Sequence, residues 1–302
     1  MFWNENALVH AFLSFNSSFS ITLSTAYLHA EHPDTLKRCI PAYDTNRHFP
    51  VFVMVNENLM THTPMQVVIL AGGLGTRIRS LSEGKPKSLI QVAGRPFIKH
   101  QLELLVQHKL TRILLCVGYL GEHIEAYVGD GSKFGMKVSY AYEDPDQLRG
   151  TGGALVQALP LLEESFLVLY GDSYLPMDYQ AFIQAFRKDT NPALMSVYKN
   201  NGKWWDTSNV SIIGQRIAAY SKKGGLKESD YIDYGLSAYD RPIIEQYKDN
   251  PPPLDLAHIQ KTLVSQKQLG AFIVQERFYE VGKPKGIKEL ERYLQKEDED
   301  PS

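Results

Sequence analysis

VVILAGGLGTRIRSLSEGKPKSLIQV, residues 67–92, is the stretch that decides how the rest of this 302-residue chain is read. Four apolar, β-prone residues, Val67, Val68, Ile69 and Leu70, run straight into Ala71-Gly72-Gly73-Leu74-Gly75-Thr76-Arg77, and Lys85-Pro86-Lys87 follows shortly after. That order describes a strand emptying into a cradle for an oxyanion. Glycines at 72, 73 and 75 are expected to take left-handed dihedrals and turn backbone N–H groups toward one point. Leu70, Ala71 and Thr76 complete the cradle, and Arg77 and Lys87 supply positive charge.

The glycine spacing is neither the G-x-G-x-x-G of dinucleotide-binding folds nor the G-K-[ST] ending of a P-loop, so neither mechanism is invoked. Downstream, strands and helices alternate. Residues 96–109 carry apolar side chains at a mostly helical spacing behind a proline suited to a first turn. Residues 112–117 read as a buried strand, 122–128 as a short helix and 136–141 as a third strand. After a polar loop come a strand at 166–170, a helix at 178–187 and a strand at 193–198. A hairpin around Gly214, a strand at 231–239, a helix at 254–264, a strand at 270–274 and a helix opening at Lys283-Pro284 finish the series. Such alternation predicts an α/β fold whose sheet is mainly parallel, with helices on both faces and ligands beyond the strands' carboxyl ends.

Composition narrows the partners. With 43% hydrophobic and 22% charged residues and a net charge of −2, the chain has no nucleic-acid or membrane surface to expect, so any nucleotide affinity must be local. Two cysteines, Cys39 and Cys116, fit a reducing cytoplasm better than a disulfide framework. Residues 1–64 differ in character. They are rich in Ser, Thr, Asn and His, lack a repeated strand and helix rhythm, and contain no apolar run near the roughly eighteen residues of a membrane span. Residues 1–30 lack the basic start of a secretory signal. The expected division is therefore a loosely ordered or arm-like extension at 1–64 and one domain at 65–302.

The joint pattern of strand, G-G-x-G-T-R, K-P-K-S-L and then Val92-Ala93-Gly94-Arg95-Pro96-Phe97 opening a helix resembles the sugar-1-phosphate nucleotidyltransferases, whose signature is L-A-G-G-x-G-T-R followed by a K-P-K segment. The resemblance covers about residues 65–302. It implies a single Rossmann-like, doubly wound, mixed and mainly parallel sheet with a small β-rich subregion that binds sugar. It also implies transfer of a nucleotidyl group from a nucleoside triphosphate to a sugar 1-phosphate, with Mg2+ as cofactor and, by analogy alone, a homo-oligomer.

Residue by residue, the resemblance places the segment before and through Gly150-Thr151-Gly152-Gly153 at the nucleobase and ribose. Glu143 is the candidate there, with Asp144 and Asp146 as rivals. A carboxylate accepts and does not donate, which suits the N1 and N2 donors of guanine and favours GTP. Asp172, in a Gly-Asp turn at the end of a strand, suits Mg2+ held between carboxylate, phosphate and water. Glu280 stands where relatives carry the second aspartate ligand, and Lys283 replaces their threonine. Asn209, Lys223 and Asp233 are the sugar-phosphate candidates, Lys223 in the role of the lysine that meets the sugar's phosphate. Lys222 stands where relatives have a glutamate. VGYLGEHI, GTGGAL and the lack of a left-handed β-helix tail look most like short bacterial guanylyltransferases for mannose or manno-heptose 1-phosphate. A uridylyl- or cytidylyltransferase and a catalytically silent regulatory subunit are the other readings.

Overall fold

The computed structural model describes residues 22–23, 37–44, 49–56, 64–73, 84–144, 147–200, 207–222, 224, 226 and 229–299. It divides into two compact units, Met1–Thr63 and Pro64–Ser302. In the first, β1 (Thr22–Leu23), β2 (Lys37–Asp44) and β3 (Phe49–Asn56) form an antiparallel sheet in that order. Strands β2 and β3 pair along their full eight residues, from Lys37 opposite Asn56 to Asp44 opposite Phe49.

The second unit opens on β4 (Gln66–Leu70), the apolar run before the glycines. A short turn pairs β5 (Gln91–Val92) with β6 (Arg95–Pro96) and leads into α1 (Phe97–Gln107). Then follow β7 (Arg112–Val117), α2 (Gly121–Val128), β8 (Lys137–Tyr142), α3 (Gly150–Gln157) and β9 (Ser165–Tyr170). Strands β8, β7, β4 and β9 lie side by side in that order, all parallel.

Strand alternation assigns each residue to a face. Val67, Ile69, Ile113, Leu115, Leu167 and Leu169 join one apolar cluster, and Val68, Leu114, Cys116, Phe166 and Val168 join the other. Because both faces are buried, these strands are continuous apolar runs rather than alternating ones. Each fully buried aliphatic side chain contributes about 1.5–3 kcal/mol.

The remaining elements are β10 (Ser173–Tyr174), α4 (Tyr179–Lys188), β11 (Ala193–Lys199), β12 (Val210–Ile213), β13 (Arg216–Tyr220), β14 (Tyr231–Asp240), α5 (Arg241–Glu245), α6 (Leu256–Ser265), β15 (Leu269–Val274), β16 (Tyr279–Glu280) and α7 (Pro284–Glu299). Side chains of α1, α2, α4 and α7 pack into the first apolar cluster and those of α3, α5 and α6 into the second. Helix α4 starts where Asp178 accepts a bond from the Ala181 N–H at 2.9 Å, and Arg187 and Lys188 sit favourably at its carboxyl end.

The mixed α/β class stands, but the single, mainly parallel sheet that was expected gives way in the second half to mostly antiparallel pairing. Strand β14 runs antiparallel to β9, and it also pairs with β11. From there β11 pairs β15, β15 pairs β13, β13 pairs β12, and β12 returns to β14 at Val210 opposite Tyr231. These five strands close into a small barrel. Short hairpin connections favour antiparallel neighbours, whereas a parallel neighbour needs a crossover, so the chain after α4 had the means to curl back on itself.

Closure bends β14 at a bulge, where its register with β11 skips from Met195–Ser237 to Val197–Asp233. The fully buried Ser196 fills the gap. Its hydroxyl donates to the Leu236 carbonyl at 2.7 Å and accepts from the Leu236 N–H at 3.2 Å. Among the described residues no helix is long and apolar enough to cross a membrane. Ser196→Ala strands both Leu236 groups and should cost about 1–3 kcal/mol, read as a lower urea midpoint with an unchanged slope.

Candidate functional site

The carboxyl ends of β4, β7, β8 and β9 open on one cleft of about 570 Å3. Backbone bonds draw the strand exits together: Ala71 N–H reaches the Cys116 carbonyl at 2.8 Å, Gly171 N–H the Leu70 carbonyl at 3.0 Å, and Glu143 N–H the Val117 carbonyl at 2.8 Å. Leu70, Ala71, Gly72 and Gly73 form one wall. Neither Gly72 nor Gly73 adopts a positive φ, which corrects the left-handed cradle expected at these two positions. Gly72 is needed for space instead: a Cβ there would lie 2.8 Å from Glu143 Oε2 and 3.2 Å from the Gly118 nitrogen.

Glu143 is buried over that glycine, and its Oε1 accepts from the Arg149 N–H at 3.1 Å. Burial lifts its carboxyl above the usual range, offset in part by the Arg149 N–H and the Arg149 charge.

Opposite, Lys87 leaves the single 3-10 turn Lys87–Leu89, entered through the extended Pro86, and forms an ion pair with Asp172. Asp172 sits on the turn between β9 and β10. Strand β10 pairs antiparallel with β16, with Ser173 opposite Glu280, and the Val281 N–H bonds the Asp172 carbonyl at 2.9 Å. Asp172 and Glu280 thus stand on neighbouring rungs, and both line the cleft. Among the described residues no group of three or more His, Cys, Asp and Glu is placed to hold a metal. The donors present are two carboxylates, a set that suits a hard cation completing its shell with phosphate and water.

The Gly150-Thr151-Gly152-Gly153 turn also reaches the cleft, but its contacts run the other way. The Gly152 and Gly153 N–H groups bond the Leu254 carbonyl at 2.9 and 3.0 Å. A Cβ on Gly150, whose φ is +79°, would fall 2.6 Å from that same oxygen. The Thr151 hydroxyl donates to Asp255 Oδ1 at 3.0 Å and accepts from the Leu256 N–H at 2.9 Å, so it helps start α6. Lys222, also lining the cleft, forms an ion pair with Asp255. Burial pushes the Asp255 carboxyl up, but bonds from Lys222, Ala257 and Thr151 outweigh it and hold the group below its usual range.

Beyond the cleft floor lies Asp233, on β14. Its N–H is held by Asn209 Oδ1 at 2.9 Å, so the Asn209 amide secures β14, and neither residue is among those lining the cleft. Asp233 Oδ1 accepts from the Gly235 N–H at 3.1 Å and Oδ2 from the Tyr220 hydroxyl at 3.3 Å. Burial pushes its carboxyl up to about 6 despite those bonds and the nearby Lys222 charge.

The structure therefore gathers Leu70, Ala71, Gly72, Gly73, Lys87 and Glu143 with Gly150, Thr151, Asp172 and Glu280. Asn209 and Asp233 stand together just outside. Gly75, Thr76, Arg77, Asp146 and Lys223 lie outside the described residues. Sequence reasoning missed Tyr170, Cys116 and Asp255. Tyr170 and Cys116 line the cleft at or near the ends of β9 and β7, and their strand-end positions were a usable signal. Nothing local marks Asp255, whose partners are 104 residues away at Thr151 and 33 away at Lys222.

The chain belongs to the nucleotidyl transferase family, whose model matches residues 66–297. It is 41% identical over 121 residues to the N-acetylmuramate alpha-1-phosphate uridylyltransferase of Neisseria meningitidis, across 40% of this chain and 52% of that one. It is 27% identical over 241 residues to the D-glycero-alpha-D-manno-heptose 1-phosphate guanylyltransferase of Aneurinibacillus thermoaerophilus, across 76% of this chain and 100% of that one. The crystal structure of HddC from Yersinia pseudotuberculosis complexed with GMP-PN matches with a TM-score of 0.61 at 25% identity, covering 76% of this chain and 99% of that one. The chain spans about half the length of the first curated relatives it matches.

Asp233 yields a stability prediction. Its folded pKa of about 6 exceeds the ordinary 3.8, so between those values the folded protein keeps a proton that the unfolded chain releases. Stability therefore falls as pH rises through that window. Asp233→Asn removes the effect, and near pH 7.5 it should be more stable than wild type by about 1–2 kcal/mol, the gain shrinking toward pH 4 in paired melting curves.

Proposed function

We propose that residues 65–302 catalyse nucleotidyl transfer from a nucleoside triphosphate, GTP favoured, to a sugar 1-phosphate of mannose or manno-heptose type. The observation that carries this reading is the meeting, at the carboxyl ends of parallel strands, of the Leu70–Gly73 backbone, Glu143, Lys87, Asp172 and Glu280 in one cleft.

In this reaction an oxygen of the sugar 1-phosphate attacks the α-phosphorus in line, and the bond from that phosphorus to the pyrophosphate oxygen breaks. A phosphate oxygen is already an anion near neutral pH, so no protein base is required. The protein's work is positioning and neutralisation of charge. Lys87 is assigned to the α-phosphate and the sugar phosphate, Arg77 to the β- and γ-phosphates. The backbone of Leu70, Ala71, Gly72, Gly73, Gly75 and Thr76 receives the triphosphate. Gly150 and Thr151 shape the wall beside the ribose. Asp172 and Glu280 would hold Mg2+, which when bound neutralises charge on the phosphates.

Glu143 is assigned to the base. Its Oε1 already holds a loop N–H, and its Oε2 lies beside Gly72, a residue of the cleft wall. A carboxylate there suits the paired donors of guanine. The likeness to a manno-heptose 1-phosphate guanylyltransferase over its whole length, and to a structure holding GMP-PN, supports the same choice. UTP is the second reading, favoured by the 41% identity to a uridylyltransferase, because uracil N3–H is also a donor. The small barrel is read as the sugar side, where Asp233, Asn209 and Lys223 receive hydroxyls and the sugar's phosphate.

The deciding assay is pyrophosphate release from GTP, UTP, CTP and dTTP against a panel of sugar 1-phosphates, with the full chain and with one beginning at Met65. GTP with mannose or manno-heptose 1-phosphate should give the highest kcat/KM. Nucleotide binding without pyrophosphate from any pair would instead mark a silent regulatory subunit. Lys87→Ala should lower kcat about a hundredfold or more while leaving the melting temperature near wild type. Glu143→Gln should weaken GTP by about 1.5–3 kcal/mol, the worth of a bond to a charged group, and a normal GTP preference in that variant would move the base contact elsewhere.

A further inference from the structure

We propose that Gln101 is a positioning residue for Asp172: from the buried face of α1, its amide clamps the turn that carries this carboxylate and thereby sets the affinity of the site for a divalent cation. The inference rests on the reading of Asp172 as a metal ligand and deepens it.

Gln101 is 1% exposed. Its neighbours on the same helix face are Phe97, Ile98, Leu102 and Leu105, all fully buried in the first apolar cluster. An amide among such residues needs a reason. Both bonds donated by Nε2 go to one place, the Tyr170 carbonyl at 3.0 Å and the Ser173 carbonyl at 2.8 Å. These two carbonyls bracket Gly171 and Asp172, so one amide group fixes the entry and the exit of the turn.

The other end of the side chain is left without compensation. Among the described residues Gln101 Oε1 is buried and has no hydrogen-bond partner. A buried acceptor without a partner costs folding free energy, while the two donated bonds satisfy two carbonyls of the turn. What the amide contributes is therefore concentrated on the turn that carries Asp172.

The remaining ties of the turn hold its backbone from other sides. The Gly171 N–H bonds Leu70, the Asp172 carbonyl receives the Val281 N–H, and Ser88 Oγ donates to the Gly171 carbonyl at 3.4 Å. Among the described residues, the clamp from α1 is the one tie that spans the turn from end to end. Metal coordination tolerates ligand displacements of about 0.2 Å, so slack in this turn reads out directly as weaker binding. Partners that orient a ligand without touching the metal typically govern it by about 10–100-fold.

The test titrates Mn2+ alone against the full chain, with free ion read by electron paramagnetic resonance, in wild type, Gln101→Leu and Asp172→Asn. Melting temperature and GTP affinity in EDTA are measured alongside. Gln101→Leu should weaken Mn2+ by about 10–100-fold while GTP affinity in EDTA stays at the wild-type value. Should that variant not fold, Gln101→Met, unbranched and of similar length, carries the same measurement. Wild-type Mn2+ affinity in the folded glutamine variant, together with weakened Mn2+ in Asp172→Asn, overturns the clamp alone. No Mn2+ binding by wild type, or undiminished binding by Asp172→Asn, overturns the metal reading and the clamp with it.

Discussion

The parallel pairing of β4 with β7 on one side and β9 on the other is the constraint on which the site depends. Parallel strands end at the same edge, and everything that leaves them there is delivered to one place. The glycine loop exits from β4, Glu143 follows β8, and the Asp172 turn follows β9. The register holds Leu70 against Cys116 and Tyr170, and Cys116 against Ala141, so the three exits start level. The space between them is too small for side chains near the backbone, and Gly72 and Gly118 face each other where β4 and β7 leave the sheet.

Many polar groups around the cleft serve the protein rather than a ligand. The Thr151 hydroxyl and Asp255 secure the start of α6, and the Gly152 and Gly153 amides are capped by Leu254. Polar groups whose hydrogen bonds are satisfied within the scaffold make a wall that does not rearrange, which is the condition for electrostatic positioning to be effective. Lys222 belongs to this group through Asp255, although it replaces the glutamate that the resemblance leads one to expect.

Most of the parallel half was legible in the sequence. Runs such as residues 112–117 and 166–170 are short, apolar on every residue or nearly so, and followed by glycine, the mark of a strand buried on both faces. The strand that leads into Gly72-Gly73 was legible for the same reason. The barrel was not. Its closure rests on single rungs, Val210 with Tyr231 and Arg216 with Gly270, which leave no periodic mark. Lys87, Asp172, Glu143 and Glu280, expected from local motifs, line one cleft. The roles of Asp255, Leu254 and Gln101 arise from contacts across long sequence separations, and a motif carries no trace of them.

The ladder between β10 and β16 has a temporal meaning. Asp172 and Glu280 become neighbours only through the bond from Val281 to Asp172 and the pairing of Ser173 with Glu280, a link across more than a hundred residues. During synthesis the strands that form the loop edge, from β4 to β9, emerge long before β16. A partly made chain can therefore shape the wall of the cleft while its second carboxylate is still absent. The acidic pair forms only once β16 has been made, after every strand of the parallel edge, so the two carboxylates are brought together later than the wall they face.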